Sequence, residues 1–217
     1  MQQSEEMKRI GCRLTAAYYV AGRSLLAILR GGTLDSLVVI SHPAMLPLGD
    51  KLSPAVRVNL SCEVRTPKWE CTCGGYVPDL ASKQTFQSYR ELNPSSRTIV
   101  LGPDCAECRK FSVAHLEMLH AGPLSAEMFM PHFPIHMDVA TVQSEEDQWF
   151  DEFSVLEQIR EDVINRARNL SAQIVSCERN GIKALAIRLA VQSETLDGRE
   201  AESLLSNNLR PSDSQVL

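Results

Sequence analysis

The sequence predicts an α+β domain, predominantly helical, with a small sheet, and three observations predict it. Met7, Ile10, Leu14, Ala17, Ala21, Leu25 and Ile28 recur at spacings of three and four, an apolar stripe of helical period. Trp149, Phe153, Leu156, Ile159, Val163, Ala167, Leu170 and Ile174 repeat that period across 145–176. Val56 through Val64 instead alternates apolar and polar residues with period two, as a half-buried strand does.

In chain order, Ser4 caps the first helix and Gly31-Gly32 stops it. On a helical wheel Tyr19 and Arg23 share a face with Cys12, Leu26 and Arg30, opposite Ala21 and apart from the apolar stripe. Leu34 to Ser41, rich in leucine, valine and isoleucine, reads as a buried strand. His42 to Pro54 carries three prolines and a glycine and reads as a loop. Strand 56–64 follows, then a short strand at Thr98 to Leu101, giving a mixed or antiparallel sheet. After the helix at 145–176, Asn180-Gly181 reads as a stop and turn before a helix near 182–193. Thr195 or Asp197 caps a last helix from Arg199 to Ser206, with Glu200 placed as in a capping box. Residues 207–217 are a polar tail.

Composition bounds the function. A chain of 217 residues can bury one substantial core and reads as one domain, or one domain plus a small insertion. Hydrophobic residues at 44% and charged residues at 23% match globular usage and exclude wholesale disorder. Lys and Arg number 22 against 27 Asp and Glu, and the basic residues are scattered, which argues against a nucleic-acid partner. No apolar run of about 18 residues occurs, so no transmembrane segment is expected. The first residues lack a signal peptide's order of charged and apolar regions, making a cytoplasmic location the expectation and reduced thiols or metal ligands the expected state of the seven cysteines.

The middle of the chain holds a metal-like constellation. Cys71 and Cys73 form one close pair and Cys105 and Cys108 another, each beside turn-forming residues such as Gly74-Gly75. Zinc is bound tetrahedrally by thiolates, and two tight pairs brought together would supply all four ligands. A redox role, or plain thiols packed as small hydrophobes, are the other readings of the same residues. The histidines offer less. His115 and His120 lie about 140° apart on a helix, too far round to chelate one ion easily. His132 and His136 have chelating spacing but are flanked and interrupted by Pro131 and Pro134, and His42 sits in the proline-rich segment.

Four ordered segments resemble a known family. Tyr18 through Ser24 is similar to the Tyr-His-Glu-Ala-Gly-His-Ala signature of the peptidase domain in FtsH-type ATP-dependent zinc proteases, with Ala21 and Gly22 kept. Leu119-His-Ala-Gly-Pro-Leu-Ser-Ala-Glu127 resembles that family's glycine-containing segment ending in Ala-Glu. Gln143 to Asp147 falls where the family carries its third metal ligand, and Ala184 to Gly198 resembles its C-terminal helix and Glu-Thr-Leu-Asp-Gly turn.

The resemblance implies a zincin-like helical frame from which the chemistry has been removed, spanning 1–206 and interrupted at about 45–110 by an insertion without family counterpart. Tyr19, Val20 and Arg23 stand where the two histidines and the glutamate would be, and a phenol, an isopropyl group and a permanent cation cannot replace two imidazoles and a carboxylate. Asp147 would be the vestigial third ligand, although Glu145-Glu-Asp147 also reads as the acidic first turn of a helix. Tyr19 and Arg23 either fill the former zinc pocket or cover a helix surface. The family's ATPase phosphate loop has no counterpart here, so any action is ATP-independent. The expected protein is therefore a catalytically inactive peptidase-like module with no metal at the vestigial site, binding a protein partner or an unfolded polypeptide. An active zinc peptidase with non-standard ligands and an interaction module stapled by a structural zinc on the four cysteines are the alternatives.

Overall fold

The computed structural model describes residues 2–48, 51–66, 69–74, 76–77, 80–81, 105–132, 157–191 and 195–209. The expected strand at 98–101, residues 145–156 of the expected long helix, and the tail beyond 209 lie outside them. The described elements are α1 (Gln2–Leu29), β1 (Thr33–Leu48), β2 (Lys51–Thr66), β3 (Trp69–Glu70), β4 (Tyr76–Val77), β5 (Leu80–Ala81), α2 (Ala106–Phe129), α3 (Glu157–Cys177), α4 (Arg179–Val191), β6 (Thr195–Asp197) and α5 (Gly198–Asn208). Helix exceeds strand among them, as the sequence predicts.

Helix α1 is the hub on which α2, α4 and β1 pack, while α3 lies on α2 and α5 on α4. From Thr15 to Gly22 it is buried all round, and Leu25 and Leu26 are fully enclosed. Its face of Tyr19 and Leu26 is therefore core rather than the separate surface the wheel suggests, because α2 covers it. The N-terminal end of the stripe differs the other way: Met7 is 66% and Ile10 54% exposed, since the described elements do not reach that far along the helix. The helix ends in a Schellman turn. Gly32 N–H donates to Ala27 C=O at 2.8 Å and Gly31 N–H to Ile28 C=O at 3.0 Å, with Gly31 at a φ of 79° that a side chain would strain.

The sheet is antiparallel, in the order β5-β2-β1-β6. Strand β1 runs from Thr33 to Leu48 and pairs with β2 as far as Leu48↔Lys51, so the expected loop at 42–54 is instead the outer part of a long hairpin. The prolines are tolerated for a topological reason. Beyond the short pairings of β6 with Ser36 to Val38 and of β5 with Arg65 and Thr66, both strands have one open edge among the described residues. A residue without an N–H is accommodated at such an edge.

The C-terminal helices follow the predicted order with one correction. Asn180 and Gly181 do not stop a helix; the break falls at Glu178, and both residues lie in the first turn of α4. Gly181 is buried against α5, where an added Cβ would sit 3.6 Å from Leu205 Cδ2. Asp197 caps α5 by accepting the Arg199 N–H at 2.9 Å. Glu200 bonds the Arg188 guanidinium of α4 at 2.7 and 2.9 Å, joining the two helices. No described helix is long and apolar enough to cross a membrane.

Candidate metal centre

Cys71 and Cys73 leave β3 on a tight turn of the β3–β4 hairpin, in which Trp69 pairs with Val77 and Glu70 with Tyr76. Gly74 closes that turn by donating its N–H to Cys71 C=O at 2.9 Å, and its φ of 90° is one that glycine adopts without strain. The same turn directs the Cys73 backbone N–H at the Cys71 sulfur. Cys105, in extended conformation, is the N-cap residue of α2, and Cys108 lies one turn further on. A spacing of three places both on one helix face, at the end where backbone N–H groups lack helical partners and carry partial positive charge.

These two short motifs meet. Cys71 Sγ lies 3.4 Å from Cys105 Sγ, and Cys73 Sγ lies 3.3 Å from Cys108 Sγ. All four sulfurs fall within 4.8 Å of one another. A tetrahedral zinc with Zn–S bonds of about 2.3 Å has sulfur–sulfur edges of about 3.8 Å, inside the observed spread. The donor set therefore fits a thiophilic metal ion. Cys108 is buried, Cys71 and Cys105 are half-buried, Cys73 is exposed, and none of the four is in a disulfide. The Cys73 N–H favours thiolate at Cys71, but desolvation together with the Cys105 and Cys73 sulfurs outweighs it and raises the Cys71 thiol. A bound cation would reverse that balance by holding every sulfur as thiolate.

Among the described residues, these four cysteines are the one group of three or more His, Cys, Asp or Glu whose donor atoms converge on a metal-sized site. Asp147 and His136 lie outside the described residues. His132 is exposed just after α2, and His42 lies in β1 opposite Arg57. His115 and His120 are both on α2.

The three motif positions of α1 are occupied differently. Tyr19 and Val20 are fully buried. Covering an exposed helix surface is thus not what Tyr19 does. Its ring packs on Gly122 of α2, where an added Cβ would sit 2.7 Å from Tyr19 Cε1 and Cζ, and one turn along Gly22 meets Ser125 in the same way. Arg23 is half-buried and lies close enough to His115 that burial and the guanidinium charge push the imidazole down to about 3. Arg30 Nε donates to the buried carboxylate of Glu117. Sequence reasoning missed Glu117, although a lone acid between Leu116 and Met118 is a signal for a buried partner.

No protein-family profile matches this chain, and no curated protein is similar to it.

Proposed function

We propose that this chain is a non-hydrolytic protein-binding module, stapled by a structural zinc, whose helical frame derives from an FtsH-type zinc peptidase domain. The observation that carries the reading is the convergence of Cys71, Cys73, Cys105 and Cys108. Four thiolates fill the coordination shell of zinc and leave no position for a water, so such an ion holds structure and hydrolyses nothing. It ties the β3–β4 turn to the start of α2, across the segment that the sequence marks as an insertion.

Tyr19 supports the absence of hydrolysis. A phenol packed on Gly122 takes up the room on the α2 side of the motif, and Arg23 places a permanent cation where the family has a metal ligand. The surviving role is binding through shape, to a protein partner or an unfolded polypeptide, without nucleic acid. A reducing cytoplasm would keep the thiolates available to the metal.

Zinc-edge X-ray absorption on the purified chain tests this, with four sulfur neighbours at about 2.3 Å expected. Nitrogen or oxygen neighbours would contradict it. Unfolded casein should survive prolonged incubation with or without chelator. Chelator-sensitive cleavage would instead support an active peptidase with other ligands.

A further inference from the structure

We propose that the four-cysteine centre is a redox-released metal site, in which a hydroperoxide converts the thiolates to the disulfides Cys71–Cys105 and Cys73–Cys108 and expels zinc. The inference rests on the zinc reading of the same site and adds its regulation.

Three observations carry it. Two sulfur pairs run across the centre, from the hairpin turn to the helix, at 3.4 and 3.3 Å. Closing either pair to a disulfide of about 2.05 Å requires a movement of little more than about 1 Å, within reach of side-chain rotation. Access is graded, because Cys73 is exposed whereas its partner Cys108 is buried. An oxidant therefore meets Cys73 first, and the sulfur that can resolve the product is already in place. Finally, crossed disulfides join the same two elements that the metal joins, so the junction survives metal loss.

The steps balance. The Cys73 thiolate attacks hydrogen peroxide, the O–O bond breaks, and a sulfenic acid and hydroxide form. The Cys108 thiolate then attacks that sulfur, forming the S–S bond and expelling a second hydroxide. Each disulfide thus delivers two electrons to one peroxide, and two protons convert the hydroxides to water. Zinc loses two ligands with the first disulfide and leaves as the second closes, because neutral disulfide sulfur is a poor ligand.

Trypsin distinguishes disulfides across the centre from disulfides within either cysteine motif. Lys68, Lys83, Arg97 and Arg109 bound peptides 69–83 and 98–109, each carrying one cysteine pair. Crossed disulfides join these two peptides, and disulfides within Cys71/Cys73 and within Cys105/Cys108 leave them separate. The experiment first measures zinc in the untreated chain. Peroxide is then added while released zinc is followed with a colorimetric chelator, and the alkylated product is digested without reductant. Expected are release of about one zinc per chain, a joined 69–83/98–109 species, and reversal by dithiothreitol with added zinc. Cys73→Ser should still join the peptides, through Cys71–Cys105 alone.

Separate peptides, retained zinc, or sulfinic acids in place of disulfides would overturn the proposal while leaving the zinc reading intact. A chain that holds no zinc before oxidation would overturn both.

Discussion

Tyr19 is held by what it touches, and two substitutions probe that contact. Gly122→Ala puts a methyl group 2.7 Å from the ring and should cost about 1–3 kcal/mol in chemical denaturation. Combined with Tyr19→Leu, the penalty should shrink, because the atoms that clash are gone; strictly additive costs would mean the two residues do not meet. His115 gives a pH test. Burial and Arg23 hold its pKa at about 3 against an ordinary value near 6.5, so the unfolded chain takes up a proton over that interval while the folded chain does not. Stability from neutral His115 is complete above about pH 6.5 and is lost as pH falls toward 3. His115→Asn should flatten the acid limb of melting temperature against pH, and an unchanged limb would place the acid sensitivity elsewhere. At this scale the four cysteines were legible, because metal chemistry demands a residue type at a spacing. The burial of Tyr19 was not legible: a wheel drawn from one helix contains no information about the helix packed against it.

Elements were most legible where their ends carry local chemistry. The glycine stop of α1 and the cap of α5 require only neighbouring residues; the stop stands as read, and of the two candidate caps, Thr195 and Asp197, it is Asp197 that caps. Asp197→Ala should cost about 1 kcal/mol, seen as a lower denaturation midpoint at constant m-value. The hairpin was less legible. Prolines that punctuate a loop by themselves are compatible with a two-stranded ribbon, and whether a strand has an open edge is a property of topology. Helix α2 keeps Pro123 inside it, and the adjacent Gly122 makes room for Tyr19. Its attachment to α1 includes Arg30 and Glu117, whose side chains are 24% and 2% exposed. Arg30→Ala leaves that carboxylate buried without its cation, so it should cost about 3 kcal/mol or more, whereas Glu117→Gln, which removes the buried charge, should cost less. Equal losses in thermal melts would argue against a buried-charge explanation.

For the whole molecule, the central claim couples metal to fold. Binding that requires the folded arrangement of the cysteines stabilises the chain by mass action. A strong chelator should therefore lower the melting temperature of the parent and leave Cys73→Ser unmoved. The α+β class followed from periodicity alone. The meeting of the two cysteine motifs did not, since 31 residues separate Cys73 from Cys105 and sequence spacing cannot say whether a segment closes on itself. The FtsH-type resemblance supplies the reading of α1 as a disarmed motif, and the peptidase test decides its functional half. The most direct measurement is zinc per chain by elemental mass spectrometry, on tag-free protein purified without chelator, with Cys73→Ser prepared alongside. This account predicts about one zinc in the parent and much less in the variant; a parent without zinc, or a variant that keeps the parent's full zinc content, would contradict it.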